Sequence, residues 1–117
     1  LATYTGPDFY SVALYKKRVV GYGILRGWEE GFAIPSLGIC ILSEYHGQGI
    51  GLAMMHYLHS VARLRNATQI RLTVHEANTP AVAMYTALKY QLQPKIGAVG
   101  VLVGVLDLRR GALHDKK

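Results

Sequence analysis

Three glycines occupy alternate positions in the segment YHGQGIG (45–51), directly before the apolar run LAMMHYLHSVARL. Glycine has no Cβ atom, so it adopts positive φ angles and lets another group approach the main chain closely. A glycine-rich turn that leads into a helix presents several backbone N–H groups at the positive end of the helix dipole. Such an arrangement binds anions, and phosphate groups in particular. The segment therefore predicts a phosphate-binding turn.

Two common phosphate-binding motifs do not fit this segment. The Walker A motif requires Lys and a hydroxyl residue after its last glycine, but Leu52 and Ala53 follow Gly51. The dinucleotide motif G-x-G-x-x-G fails because its third glycine would fall on Leu52 or Met54. The spacing therefore points to a different phosphate ligand.

The segment resembles the acyl-CoA pyrophosphate loop of the GNAT acetyltransferase superfamily, Q/R-x-x-G-x-G/A. The matching residues run from His46 to Gly51, with His46 in place of the usual Gln or Arg. The superfamily continues with a helix, a strand and then N-x-x-A-x-x-x-Y, which is matched by Asn78 to Tyr85. The usual L-G-F ending is replaced by Leu88-Lys89-Tyr90. The resemblance covers roughly residues 9–108.

The resemblance implies an α/β (α+β) fold with a GNAT-like mixed central sheet flanked by helices. The matched part begins at the second strand of that fold. The N-terminal strand and two helices of a complete family member are therefore expected to be missing from this chain. Those helices normally form one wall of the acceptor pocket.

The resemblance also implies acetyl-CoA as the cosubstrate. Backbone groups of the third strand would pair with the pantetheine arm and polarise the thioester carbonyl, and N–H groups of the glycine segment would hold the pyrophosphate. The expected cofactor-binding residues are Ile39, Cys40, Ile41, Gly47, Gln48, Gly49, Ile50, Gly51, Leu52 and Asn78. Asn is also a preferred residue at a helix N-cap, so a structural role for Asn78 is an alternative that can hold at the same time.

Catalytic proton transfer needs two roles, an acid and a base. The resemblance assigns Tyr85 as the acid that protonates the departing thiolate, and the alternative is an aromatic residue of a helix packed on the sheet. Residues 34–42 contain no carboxylate, so the base must lie elsewhere or be replaced by a water chain. Glu30 ranks first as the base among four candidates: Glu29, Glu30, His75 and Glu76.

Three other side chains invite a chemical role. His56 and His59 lie three residues apart, but no third ligand accompanies them, and we expect no metal site. Cys40 is interpreted as a small buried thiol in a strand, with an acetyl-cysteine intermediate as the alternative. Trp28 either lines the entrance of the acceptor site or covers the edge of the core.

Hydrophobic periodicity predicts the elements that position these residues. Strands are predicted at 9–15, 19–25, 32–42, 69–74 and within GVLVGVLDL, with a further short strand around 91–96. A helix is predicted from Ile50 to Leu64, with His56 and His59 away from its apolar face. Asn78 begins a second, shorter helix. This alternation predicts a mixed sheet with a parallel portion and a ligand site at the carboxyl ends of its strands.

The composition limits the partners. The 117 residues fit one acetyltransferase-like domain (1–117), with a core at 9–108 and a basic tail at 109–117. The single cysteine excludes an internal disulfide and favours a reducing compartment, and we expect a cytoplasmic location. No apolar run reaches the length of a membrane span, and the net charge of +6 comes from scattered Lys and Arg. We therefore expect no membrane and no nucleic acid as partner, and keep a homodimer as one option.

Two functions remain open at this point. The first is an enzyme that transfers an acetyl group from acetyl-CoA directly to a primary amine of a small molecule, amino sugars being one plausible class. In members that acetylate protein N-termini, a Glu often stands where this chain has Thr73, which disfavours that substrate class. The second is a regulatory module that binds acyl-CoA without catalysis.

Overall fold

The computed structural model describes residues 6–109, and these form one mixed sheet with two helices. The elements in chain order are β1 (Phe9–Tyr15), β2 (Arg18–Arg26), β3 (Ser36–Ile41), a short 3-10 helix (Ser43–Tyr45), α1 (Ile50–Leu64), β4 (Gln69–His75), α2 (Thr79–Ala87), β5 (Gln91–Pro94) and β6 (Val101–Asp107). The predicted element order is confirmed, including the short strand before the last one. The predicted tail lies outside the described residues except for Arg109.

The six strands lie in the order β1-β2-β3-β4-β6-β5. Antiparallel pairing joins β1 to β2, β2 to β3, β4 to β6 and β6 to β5. Lys16 and Lys17 form the tight turn of the first hairpin, with φ angles of 50° and 66°. Positive φ at both central residues matches the right-handed twist of the strands, so the hairpin forms without glycine at these positions.

The central pair, β3 and β4, is the parallel portion that the sequence predicts. Only one register pair joins the two strands, Ser36 with Arg71. One adjacent hydrogen bond runs from the N–H of Arg71 to the carbonyl of Pro35, over 3.1 Å. Beyond this point Leu37–Ile41 and Leu72–His75 form no register pair with each other, so a gap opens between the two strands. Its narrow end lies at Ser36 and Arg71, and its wide end lies at the carboxyl ends of the strands, after Ile41 and His75.

Both helices pack against the same face of the sheet and enclose the core. The helix α1 contacts β2 and β3, and α2 contacts β4. Gly23 makes close packing possible, because a Cβ atom there would lie 2.8 Å from Leu58 Cδ1 and 2.9 Å from Met54 Sδ. Trp28, Leu25, Met55 and Ile70 are among the largest fully buried side chains of this core.

No element among residues 6–109 covers the opposite face of the sheet. Exposed apolar side chains follow β1 and β2 on that face: Tyr10, Val12, Leu14, Val19 and Tyr22. The register pairs Tyr10 with Ile24 and Val12 with Tyr22, so these side chains lie side by side across the two strands. We call this surface the open face.

Two predictions about the elements are wrong. The third strand begins at Ser36 and not at residue 32, because Phe32 and Ile34 lie in an exposed loop whose turn is closed by the hydrogen bond from the Phe32 N–H to the Gly27 carbonyl. His59 does not lie away from the core, since only 4% of its surface is exposed. Its imidazole is accommodated because Nε2 lies 2.8 Å from the hydroxyl of Tyr90, a partner 31 residues away in the sequence.

Candidate active site

A cavity of about 400 Å³ passes through the narrow end of the gap between β3 and β4. Leu37, Ile39, Leu72 and Tyr85 line it from the core side. The remaining lining residues are Ile24, Arg26, Ser36, Gly38, Arg71, Thr73 and Lys95. The cavity thus connects the open face with the side chain of Tyr85, through a break in the hydrogen bonding of the sheet.

Tyr85 lies on α2, seven residues after its N-cap, and is 6% exposed. Its ring packs at 5.7 Å from the ring of Tyr90. Among residues 6–109 no group forms a hydrogen bond with its hydroxyl. Burial raises the pKa of Tyr85 above its usual value of 10, because the tyrosinate anion would lose its hydration. The phenol is therefore protonated at neutral pH and can donate its proton into the cavity.

The glycine segment lies at the wide end of the gap. Gly47 and Gly49 have φ angles of 76° and 83°, which are favourable only for glycine, and nothing lies within 4 Å of a Cβ atom added at either residue. These two glycines are therefore required by the backbone path and not by packing. Gly51 differs, since its added Cβ would lie 3.9 Å from Met84 Sδ and 4.0 Å from Ile41 Cγ1. These contacts place the start of α1 between the end of β3 and α2.

His46 holds this segment against the end of β3. Its Nε2–H group donates a hydrogen bond of 2.7 Å to the carbonyl of Ile41. The residue that departs from the family motif therefore has a structural role in the loop.

The N-terminus of α1 carries no side-chain cap and no acidic residue in its first turn. The N-cap is Gly49, and the first helical bond runs from the Ala53 N–H to the Gly49 carbonyl, over 3.0 Å. The N–H groups of Ile50, Gly51 and Leu52 precede that bond and have no partner one turn earlier within the helix. They lie at the positive end of the helix dipole, where an anion is favoured.

The other residues predicted to bind the cofactor lie along the same gap. Ile39 lines the cavity, whereas the exposed Cys40 side chain lies on the open face. The interpretation of Cys40 as a buried thiol is therefore wrong. Asn78 is the N-cap of α2, and its Oδ1 atom accepts a hydrogen bond of 3.3 Å from the Ala81 N–H. Its structural role is thus present, and its role in coenzyme binding stays a prediction.

The candidate bases are not brought into the cavity. Glu30 is exposed in the turn after β2, and Glu29, His75 and Glu76 are also absent from the lining. Glu29 accepts a hydrogen bond of 3.0 Å from the Asp8 N–H. The assignment of Glu30 as the base stays a prediction. Trp28 is 1% exposed and belongs to the core, so it does not line the entrance.

Sequence reasoning missed the basic residues of the cavity, Arg26, Arg71 and Lys95. They come from β2, β4 and the turn after β5, and only the strand order brings them together. No spacing rule in the sequence connects residues so far apart. The alternation of β2 and β4 does predict that Arg26 and Arg71 point away from the core.

Residues 6–109 contain neither a cluster of metal ligands nor a membrane-spanning helix. No group of three or more His, Cys, Asp or Glu side chains there is arranged to hold a metal ion. Neither of the two helices found there is long and apolar enough to cross a membrane.

The sequence model of the acetyltransferase (GNAT) family matches residues 2–90. The chain belongs to this family. The match includes the glycine segment and extends through α2 to Tyr90, so both halves of the candidate GNAT site lie within it.

Two relatives and one solved structure illustrate the range of similar GNAT proteins. An acetyltransferase of Sodalis glossinidius is 29% identical over 94 residues, covering 80% of this chain and 65% of that protein. An N-alpha-acetyltransferase of Saccharolobus solfataricus is 33% identical over 94 residues, covering 70% of this chain and 56% of that protein. The chain therefore spans somewhat less than two thirds of the length of each relative.

The solved structure is the PaiA N-acetyltransferase of Thermoplasma acidophilum in complex with coenzyme A. It superposes with a TM-score of 0.75 at 16% identity, covering 86% of this chain and 61% of that one. This likeness concerns the fold, which is the mixed sheet and its two helices.

Proposed function

We propose that this protein transfers an acetyl group from acetyl-CoA to a primary amine of a small molecule. The observation that carries the proposal is the gap in the sheet, which has the glycine segment at its wide end and Tyr85 at the cavity in its narrow end. Amino sugars are one acceptor class that fits a cavity of about 400 Å³. Membership of the GNAT family supports the choice of reaction and cosubstrate.

The divergence of β3 and β4 offers a binding mode for the pantetheine arm of acetyl-CoA. The backbone of Leu37–Ile41 has no register partner on β4, so the edge of β3 that faces the gap is left without a strand neighbour. An extended ligand with amide groups can take the place of that missing strand. The pyrophosphate then reaches the N–H groups at the start of α1, where each charge–dipole contact contributes roughly 0.3–1 kcal/mol.

The transfer step forms one bond and breaks another. The neutral amine nitrogen attacks the thioester carbonyl, a C–N bond forms, and the C–S bond breaks as the thiolate leaves. The nitrogen gives one proton to a base, and Tyr85 gives one proton to the thiolate sulfur. The raised pKa of Tyr85 keeps this proton available across the neutral range, and solvent entering from the open face restores it afterwards.

The base in this scheme is Glu30 acting through a chain of water molecules. Glu30 lies on the loop that follows Arg26, and Arg26 lines the cavity. The hydroxyl groups of Ser36 and Thr73 also line the cavity and can pass a proton between waters.

A protein N-terminus is the competing acceptor, because one relative is named an N-alpha-acetyltransferase. Thr73 lines the cavity. A Glu at this position would favour a protein N-terminus as the acceptor, and this chain does not have it. We therefore favour the small-molecule amine.

A module that binds acyl-CoA without catalysis is the second candidate function. One observation favours it: the side chains that line the cavity include no carboxylate and no imidazole. Such a module would still use the glycine segment and the edge of β3, but it would not need Tyr85.

Replacement of Tyr85 by Phe tests the proposal. We expect Tyr85→Phe to bind acetyl-CoA normally in isothermal titration, to lose about a hundredfold in kcat for thiol release with an amine panel, and to shift the alkaline limb of its pH profile. Tyr57→Phe is the matched control, because Tyr57 is a half-exposed tyrosine of α1. Unchanged turnover of Tyr85→Phe at every pH would remove Tyr85 from the mechanism. Acetyl-CoA binding by the wild type without thiol release on any amine or peptide would favour the module.

A further inference from the structure

Three basic side chains surround the narrow end of the gap. The register pairs Arg26 of β2 with Ser36 of β3, and Ser36 with Arg71 of β4. Residues directly opposite each other on neighbouring strands have side chains on the same face, about 5 Å apart at Cα. Arg26 and Arg71 therefore flank the Ser36 hydroxyl on the open face. Lys95, which follows β5, lines the same cavity.

These charges are not neutralised by the part of the chain that the structure describes. The ion pairs found there are Arg18 with Glu44 and Arg109 with Asp107, and neither involves the three cations. No acidic residue lines the cavity, and none lines the adjoining cavity of about 420 Å³ that shares Arg71 and Lys95. The charged side chains that line the two cavities are therefore all positive, and Tyr85 lines one of these cavities.

We propose that the acceptor amine carries an anionic group, a carboxylate or a phosphate, which is bound by Arg26, Arg71 and Lys95. This inference rests on the proposed function and narrows its substrate class. The planar guanidinium groups bind carboxylate or phosphate oxygens in pairs, and the ammonium group of Lys95 adds a mobile point charge. The Ser36 hydroxyl between the two arginines can donate a further hydrogen bond to the anion.

The position of the cations also orients the acceptor. The anionic group is held on the open face, on the outer side of the gap, whereas Tyr85 lies on the core side of the same cavity. An acceptor whose anion and amine are several bonds apart therefore extends through the gap toward the thioester. Gln91 and Gln93 line the adjoining cavity and offer amide groups to a polar acceptor body.

Matched pairs of acceptors test the proposal and separate the two anions. Glucosamine 6-phosphate against glucosamine reports on phosphate, and 5-aminopentanoate against pentylamine reports on carboxylate. We expect at least one pair to show a kcat/KM about tenfold or more in favour of the anionic member at low salt. This preference should fall as NaCl is raised, because the cations are solvent-accessible.

Variants of the cations connect the preference to the site. Arg71→Gln and Arg26→Gln should each reduce the anionic-to-neutral ratio of kcat/KM by about fivefold to tenfold, and Arg71→Lys should restore part of it. Lys17→Gln removes one positive charge from the hairpin turn between β1 and β2, and it should leave the ratio within a factor of two. Thermal unfolding of each variant checks that the protein is folded.

Equilibrium binding of the same four amines, with coenzyme A present, provides a readout that does not need turnover. Selective binding of the anionic amines without any acetyl transfer would support the cation site while rejecting the proposed function. Acetyl transfer with equal kcat/KM within both pairs would keep the proposed function and overturn this inference. The inference would also fall if Arg71→Gln weakened acetyl-CoA binding and left the acceptor preference intact.

Discussion

The Nε2 atom of His59 lies 2.8 Å from the hydroxyl oxygen of Tyr90, and both side chains are buried. The Tyr90 ring in turn lies 5.7 Å from the ring of Tyr85. Burial is the main reason that the pKa of His59 is lowered to about 4, and the charges of Arg63 and His56 lower it further. The imidazole is therefore neutral, and its Nε2 atom and the Tyr90 hydroxyl group share one hydrogen bond. This pair fixes the ring that packs against the proposed acid.

The first prediction concerns the pH dependence of stability. The pKa of His59 is 6.5 in the unfolded chain and about 4 in the folded chain. Between pH 4 and pH 6.5 the unfolded state therefore binds more protons at this residue than the folded state does. The contribution of His59 to stability is complete above pH 6.5 and is lost as pH falls toward 4. We expect a loss of at most about 3 kcal/mol in the free energy of unfolding from this group. Urea unfolding at a series of pH values measures it.

A matched pair of variants isolates this contribution. His59→Gln should make the free energy of unfolding nearly independent of pH between pH 4 and pH 6.5. His56→Gln should keep most of the wild-type pH dependence, because His56 is exposed. Equal slopes for the wild type and His59→Gln would contradict the assignment.

The second prediction compares two glycines of the phosphate-binding segment. Gly49→Ala places a side chain at a φ of 83°, which costs about 1 kcal/mol and reorients the N–H groups of the turn. We expect the dissociation constant for acetyl-CoA to rise by about tenfold, corresponding to the loss of two or so charge–dipole contacts. Isothermal titration measures it.

Gly51→Ala is the control for this change. The added Cβ atom meets Met84 and Ile41 at ordinary contact distances, and alanine favours a helix over glycine by about 0.5–1 kcal/mol. This variant should be at least as stable as the wild type and should weaken acetyl-CoA binding less. Equal losses of affinity for the two variants would show that the φ angle of Gly49 is not what the coenzyme requires.

The third prediction concerns two glycines in the strands. A Cβ atom at Gly21 would lie 2.7 Å from the backbone carbonyl of Cys40, whereas one at Gly38 would meet Ile24 Cγ1 at 3.3 Å. Gly21→Ala should lower the free energy of unfolding by about 1–3 kcal/mol, because the backbone cannot move aside without distorting the sheet.

Gly38→Ala should leave stability within about 0.5 kcal/mol, because the Ile24 side chain can move. Gly38 lines the cavity, so this variant should instead raise the KM for the acceptor. Denaturant titration and steady-state kinetics on both variants separate the two effects. Similar destabilisation by both substitutions would contradict the distinction drawn between backbone and side-chain contacts.

Local sequence patterns were sufficient for the order of the elements and for the position of the glycine segment, but not for the start of β3. Two-residue alternation identified β4, and the N-cap type identified the start of α2 at Asn78. The partners of buried polar groups could not be predicted in this way. His59 was predicted to lie away from the apolar face because its partner, Tyr90, comes from the short connection between α2 and β5, 31 residues later in the sequence.

The cation site escaped prediction for a related reason. Arg26 and Arg71 are 45 residues apart in the sequence and meet only because β3 lies between their strands. Strand order is a property of the whole chain, and no short window of residues encodes it. The net charge of +6 does not show where in the fold the basic side chains come together.

The single pairing of Ser36 with Arg71 leaves the two halves of the sheet weakly connected through the backbone. One register pair joins β1-β2-β3 to β4-β6-β5. Backbone hydrogen bonds alone therefore do not fix the angle between these two halves of the sheet. We expect that angle to depend on the spacing of α1 and α2, because α1 contacts β2 and β3 whereas α2 contacts β4. Side-chain volume between the helices, as at Met84 beside Gly51, should therefore change the width of the gap.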